Sequence, residues 1–251
     1  MKLYLVRHGA STGNTPGNLI GQSDHPLSPL GEAQARAVAA RLAPLGPMTV
    51  YASDLPRALA TAGFIAAAWT AERGSANGDV HTAGDAEQAA EGQAGFTDGR
   101  PGAPEARAEE AGSAAGTAVI PDPRLREIHL GDLEGSSWEA FTNNLELTAA
   151  MESDPFHAPL PGGESLALVR ERVVAAVQDI IAATTAEAVC IVSHDGPIRS
   201  IVNHYLGVPP EKWWVMTTTH GGLSLLEFSH DWVDLRFLND TAHLVAVDYE
   251  L

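Results

Sequence analysis

Leu5-Val6-Arg7-His8-Gly9-Ala10-Ser11-Thr12-Gly13-Asn14 is the stretch whose reading decides the fold. Its apolar start belongs to Lys2-Leu3-Tyr4-Leu5-Val6, which has the length and the β-branched and aromatic content of a buried strand that stops at Arg7. A strand ending in Arg-His-Gly delivers a fixed cation, a titratable imidazole and a backbone free of side-chain bulk to one point. Such a point suits an anionic ligand.

Working outward, residues 13–26 are rich in Gly, Asn and Pro and read as a loop. Ser28-Pro29 then has the pattern of an N-cap followed by proline in the first turn, opening a helix through Ala33, Ala37, Val38 and Leu42. Met48 to Ala52 is a second strand. It runs into Ser53-Asp54-Leu55-Pro56-Arg57-Ala58, where Ser53 or Asp54 caps a helix and Arg57 lands near the N-terminus, an end that favours anions. Val189 to Val192 is a third buried strand, followed by Ser193-His194-Asp195-Gly196-Pro197 and a helix from Ile198 to Leu206. Before it, Pro161-Gly162-Gly163-Glu164-Ser165 opens a long helix with Leu166, Val169, Val173, Val177 and Ile180 at core spacing. Residues 222–228 and 232–238 alternate as a pair of strands.

Strands alternating with helices predict an α/β fold, a three-layer sandwich with a mostly parallel central sheet and helices on both faces. Ligands of such sheets sit at the carboxyl ends of the strands. Three of those ends offer Arg7-His8-Gly9, Arg57 and His194, and the Gly-rich loop Arg124 to Gly135 offers Glu127. Two guanidiniums, two imidazoles and a carboxyl form a phosphoryl-transfer inventory that needs no metal. Arginine matches phosphate oxygens bidentately and stays charged. A neutral imidazole can attack phosphorus while a carboxylic acid protonates the leaving oxygen.

Composition bounds the alternatives. The 251 residues with 45% hydrophobic content are enough for one domain with a real core. The expected organisation is a single domain over 1–251, interrupted by a disordered acidic insertion rich in Ala and Gly at about 70–118, where apolar periodicity vanishes. A net charge of −17 argues against a nucleic-acid partner, which would need a basic face, but not against a small phosphate ester held by a local arginine cluster. Leu3 to Val6 is too short for a signal core and no run reaches membrane-spanning length, so a cytoplasmic protein with no membrane partner is expected. The single cysteine, Cys190, lies in an apolar run and reads as a small buried hydrophobe. His129, His220, His230 and His243 show no metal-ligand spacing and read as surface or structural residues, so neither a metal nor another cofactor is expected. Trp213-Trp214 suits core packing, a substrate pocket or a dimer face, and a homodimer is left open.

These blocks, in this order, resemble the histidine phosphatase superfamily, also called phosphoglycerate mutase-like. The resemblance is carried by Leu5-Val6-Arg7-His8-Gly9 and Asn14, Asp24-x-Pro26-Leu27-Ser28, Gly31-x-x-Gln34-Ala35, Ser53-x-Leu55-x-Arg57-Ala58 and Leu125-Arg126-Glu127. It continues in Gly131-x-x-Glu134-Gly135, the Pro161 to Ser165 block, Ser193-His194 and Asn239-Asp240-Thr241-Ala242-His243-Leu244. The resemblance implies that His8 becomes a phosphohistidine, that Arg7, Arg57 and His194 grip the phosphoryl group, and that Glu127, ahead of Asp132 and Glu134, is the general acid. Asn14, on a phosphate oxygen, makes up the expected substrate-binding pair with Gly21 of the same loop. Two positions depart from the family pattern: Ala10 where many members have Glu, and Asp195 where Gly is common, a carboxylate that would raise the pKa of His194. The implied activity is hydrolysis of a small phosphorylated metabolite, in the manner of the α-ribazole and broad-specificity phosphatases. Phosphoglycerate mutase and a non-catalytic phosphate-binding adaptor are the alternatives.

Overall fold

A computed structural model describes residues 1–76 and 118–247, so most of the expected acidic insertion, residues 77–117, lies outside the described residues. The strands are β1 (Lys2–Arg7), β2 (Thr49–Ala52), β3 (Val119–Pro121), β4 (Ala188–Ser193), β5 (Leu223–Phe228) and β6 (Val233–Asp240). The helices are α1 (Pro29–Leu42), α2 (Pro56–Ala76), α3 (Trp138–Thr142), α4 (Leu145–Ser153), α5 (Leu166–Ala183) and α6 (Asp195–Tyr205). One six-stranded sheet has the order β3-β2-β4-β1-β5-β6. Its first four strands are mutually parallel, β5 runs antiparallel to β1 and β6 antiparallel to β5, so one strand of six is reversed, the mostly parallel α/β sheet expected.

Period-two alternation along the central strands feeds two cores. Tyr4, Val6, Val50, Ala52, Cys190 and Val192 pack on one face against Val38 and Leu42 of α1 and Ala58, Ile65 and Trp69 of α2. Leu3, Leu5, Val189 and Ile191 face the other way, onto Val169, Val173 and Val177 of α5 and Ile198 and Ile201 of α6. Both faces of the parallel strands are therefore covered, as buried crossover helices require. The caps read from sequence form: the Ser28 side chain accepts the Gly31 N–H at 3.1 Å, and the Ser165 side chain accepts that of Leu168 at 3.3 Å. Burial pushes the Cys190 thiol up to about 12, consistent with its reading as an inert hydrophobe.

Two helices went unread in the sequence. α3 and α4 lie in the long connection between β3 and α5 and close over a small cluster of Leu133, Leu147 and Leu160. They are short, and their caps are Ser137 and Asn144. The helix read as starting at Ile198 begins at Asp195, with His194 as its N-cap residue.

Candidate active site

β2, β4 and β1 are consecutive in the sheet, so their carboxyl ends lie side by side. Parallel register pairs Arg7 with Ser193 across β1 and β4, and the next residue on each chain is a histidine. The rings of His8 and His194 meet edge to face at 4.8 Å between centroids. Close backbone approach allows this turn: a Cβ on Gly9 would stand 2.2 Å from the Gly31 carbonyl oxygen at the start of α1.

His8 is 3% exposed, and its Nδ1 sits 2.6 Å from the Gly9 carbonyl oxygen, an acceptor, so Nδ1 carries the hydrogen. Nε2 is left with its lone pair, and it accepts from Arg57 Nε at 3.2 Å. Burial, followed by the charges of His194, His220, Arg57 and Arg7, drives this imidazole well below its ordinary 6.5. Arg57 is fixed by donating to the carbonyls of Gly21 at 2.7 Å and Ser23 at 2.9 Å. Gly21 adopts φ +50°, a left-handed turn that glycine reaches without strain. Arg7 donates to the Thr218 carbonyl and meets His220 Nε2 at 3.1 Å.

His194 is fully buried, with Nε2 2.8 Å from Ser53 Oγ. Burial first, then Arg57 and Arg7, hold it too well below 6.5. The sequence reading of Asp195 fails here, because its carboxylate turns away. It accepts from Arg199 Nε at 2.8 Å and from Thr218 Oγ1 at 2.7 Å and does not raise the His194 pKa. Two buried polar atoms of the cluster, Arg7 Nε and His194 Nδ1, have no hydrogen-bond partner among the described residues. Each such orphan costs roughly 1–3 kcal/mol, and an anion seated there would satisfy a donor on Arg7 directly.

Glu127 arrives from the connection rather than from a strand. Its Oε1 accepts from the N–H of Ile128 at 3.0 Å and of Gly196 at 3.2 Å, the latter two residues beyond His194. A Cβ at 196 would stand 2.5 Å from that oxygen, so a larger residue there would push the carboxyl aside. Burial, then the charge of Asp195, raises the Glu127 carboxyl above its ordinary value, against the pull of Arg7 and Arg57. With Oε1 occupied, Oε2 is the oxygen left to carry a proton.

The structure thus brings together five of the residues read from sequence: Arg7, His8, Arg57, Glu127 and His194. Asn14 is exposed, and its Oδ1 accepts from Ser11 N at 2.6 Å and Ser11 Oγ at 2.7 Å, so its carbonyl end locks the loop. Gly21 enters through its carbonyl grip on Arg57. His220, read as surface or structural, instead stands beside the cluster. Its ring is 5.3 Å from that of His8, and burial, then the charge of Arg7, lowers its pKa to about 3. No period or spacing marked it, because β5 carries it in from the far end of the chain.

Glu134, weighed as a rival acid, is a brace. It accepts from the N–H groups of Gln22 and Leu130 through Oε1 and from Ser23 N and Oγ through Oε2. Gln22 in turn donates to the Glu127 carbonyl at 2.9 Å. Arg172 of α5 holds the same carbonyl and those of Arg124 and Arg126, while gripping Glu164 with two bonds of 2.7 and 2.8 Å. The pair Trp213-Trp214 divides: Trp213 is buried, and Trp214 is 62% exposed.

Fold and site together define an α/β protein whose parallel strand ends gather Arg7, His8, Arg57 and His194 around one point, with Glu127 beside them. The sequence pattern of the histidine phosphatase superfamily (branch 1) matches residues 3–75 and 105–241, and the chain belongs to that family. The stretch between the two matched parts coincides with much of the acidic insertion. Among curated proteins, a probable phosphoglycerate mutase GpmB of an Enterobacter strain is 30% identical over 98% of this chain and 96% of its own length. The protein of the same name from Yersinia enterocolitica is 27% identical over 97% and 95%. The fold is shared with a putative α-ribazole-5′-phosphate phosphatase of Escherichia coli at a TM-score of 0.71, 22% identity and 96% coverage of both chains. A mycobacterial glucosyl-3-phosphoglycerate phosphatase superposes at 0.70, with 24% identity over 96% of this chain and 99% of that one. Among the described residues, no helix is long and apolar enough to cross a membrane.

Proposed function

We propose that this chain is a phosphomonoesterase that hydrolyses a small phosphate ester through a phosphohistidine on His8, with no metal ion needed. The observation that carries the reading is the pairing of a buried His8 whose Nε2 lone pair is free of its hydrogen with a Glu127 carboxyl held above its ordinary pKa. One is set to attack and the other to donate. In the first step Nε2 attacks phosphorus, the phosphorus–oxygen ester bond breaks, and Glu127 gives its proton to the departing alkoxide. In the second, the Glu127 carboxylate takes a proton from water, the hydroxide attacks phosphorus, and the bond to His8 breaks to release inorganic phosphate. Arg7 and Arg57 supply the positive charge that developing phosphoryl oxygens require, and His194 adds a neutral contact through Nδ1. Asn14 and Gly21 complete the substrate-binding side, Asn14 through the amide nitrogen that its Ser11 contacts leave free and Gly21 by aiming Arg57.

The names of the curated relatives favour a second reading, phosphoglycerate mutase. Incubation with 3-phosphoglycerate, with and without bisphosphoglycerate, separates the two: no 2-phosphoglycerate is expected, whatever turnover there is appearing as inorganic phosphate, and 2-phosphoglycerate as the product would replace the hydrolase by the mutase. Rapid quench with a labelled ester is expected to trap an acid-labile phosphoprotein that is lost in His8→Ala together with at least about a 10⁴-fold fall in turnover. Absence of that adduct in the unsubstituted protein would leave a binding protein without catalysis.

A further inference from the structure

A cavity of about 520 Å³ lies under α3 and α4, within the size range of small-molecule sites. Its wall is apolar: Ile128, Leu130, Phe141 and Leu160 inside, with the indoles of Trp138 and Trp214 55% and 62% exposed at its edges. The ionisable residues that line it are two carboxylates, Glu152 and Glu164, and Glu164 is already gripped by Arg172. Lys, Arg and His do not occur among its described lining residues.

Three routes tie this wall to the phosphoryl cluster. Ile128 lines the cavity while its N–H holds the Glu127 carboxyl at 3.0 Å. Leu130 lines it as well, and a Cβ built on Gly21, whose carbonyl fixes Arg57, would stand 2.7 Å from Leu130 Cγ. On the far side, Arg199 lies over the Trp214 ring at 5.4 Å and pairs with Asp195, the neighbour of His194.

We infer that this cavity receives the organic half of the substrate, and that the substrate class is phosphate monoesters of uncharged alcohols bearing an apolar chain or ring. The inference rests on the phosphomonoesterase reading and deepens it. An ester placed with its phosphorus at His8 and its bridging oxygen at Glu127 directs its carbon skeleton along Ile128 and Leu130, the two residues nearest the acid that face the cavity. An apolar skeleton leaves water for an apolar wall, which is favourable in proportion to the area buried. A second phosphate or a carboxylate on the alcohol would lose its hydration and meet carboxylates instead of cations, which is unfavourable. The cavity therefore selects against the doubly anionic phosphoglycerates and bisphosphates.

A series of n-alkyl phosphates from ethyl to hexyl tests this, because leaving-group basicity is nearly constant along it and only apolar length changes. Burial of each methylene predicts about a fourfold rise in kcat/KM, so hexyl phosphate, four methylenes longer, should exceed ethyl phosphate by roughly two-hundredfold. Ala158→Trp, which places an indole in the cavity and shortens the path open to the chain, should lower that ratio sharply within the same variant. Trp214→Ala, which removes part of the wall, should lower it and serves if the filled variant does not fold. Turnover of both esters at equal kcat/KM in the unsubstituted protein would overturn the cavity inference and leave the phosphomonoesterase reading standing. Turnover of neither would overturn that reading. The cavity is then judged by titrating hexylphosphonate and ethylphosphonate against tryptophan fluorescence, where tighter binding of the longer chain supports it and equal affinity overturns it.

Discussion

His8 and His194 stand at the ends of a parallel sheet whose strands are buried on both faces, with Arg57 in the first turn of the helix after β2, whereas Glu127 stands in a connection, residues 122–165, that contains two short α-helices, two 3-10 turns and no strand. The two regions meet at one point but are held by different means. The first is placed by a backbone ladder: once β1 and β4 pair in register, Arg7 lies opposite Ser193 and the two histidines follow. The second is placed by side chains. Arg172, Gln22 and Glu134 reach backbone groups of residues 124–130, and Arg126 grips Asp54 with two bonds of 2.6 Å. The difference teaches that the two histidines inherit their positions from the sheet's own hydrogen-bond ladder, while Glu127, the proposed proton donor, is only as well placed as its braces.

The strongest way to break this comparison is Glu127→Gln, which leaves the anion cluster intact and removes the proton. The kcat/KM of alkyl phosphates, which reports only the steps up to the phosphohistidine, should fall by roughly 10²–10⁴, and the kcat/KM of p-nitrophenyl phosphate, whose leaving group needs little help, by no more than about tenfold. Equal losses on both would remove Glu127 as the acid. The pH profile carries the sign. A carboxyl whose pKa is raised donates only while protonated, so activity on alkyl esters is lost as pH rises through that value, and this alkaline limb should vanish in the variant. The acid limb belongs to His8, which is neutral down to its depressed pKa, and should not move.

Arg172→Met removes five hydrogen bonds and leaves Glu164 unpaired in a site where both side chains are about one-fifth exposed. A loss of about 3 kcal/mol in urea unfolding is expected, together with a fall in kcat larger than the change in KM. Glu164→Met added to it should restore part of the stability and none of the rate. A single variant with unchanged kcat would show that the acid is positioned without this brace.

The smallest effect sharpens the same contrast. Asp54→Asn breaks a bidentate pair whose side chains are 26% and 39% exposed, so salt and water already weaken it. Less than about 1 kcal/mol of stability should be lost, and raising the salt concentration should shrink the difference further. A loss as large as that of Arg172→Met would make the Asp54 link a principal support of the connection.

The same contrast explains what could be read from sequence. Five of the six strands, α1, α2, α5 and the strand-end residues are legible through periodicity, caps and apolar runs, because they are made by local rules, whereas β3, three residues long, is too short to show a period. Glu127 was legible as a member of a Gly-rich block, but its braces were not. Arg172 sits in a core-spaced helix where an arginine looks like ordinary surface, and its five acceptors are scattered over 40 or more residues of separation or fold back on Glu164. α3 and α4 lie beyond such a reading because helices of five and nine residues carry little periodic signal, even with good caps at Ser137 and Asn144. His220 was misjudged because the contact that gives it a role, with Arg7, joins opposite ends of the chain. Asp195 was misjudged because its partners, Arg199 and Thr218, decide where its charge points.

The three imidazoles at the strand ends also bear on the chain's tolerance of acid. His8, His194 and His220 are all held below 6.5, chiefly by burial, so the folded chain declines protons that the unfolded chain accepts. Below that pH, proton uptake pulls toward the unfolded state, with each ring removing up to about 1.4 kcal/mol of stability per pH unit until its folded pKa is reached. The burial that keeps the His8 lone pair unprotonated thus sets an acid limit on the fold itself.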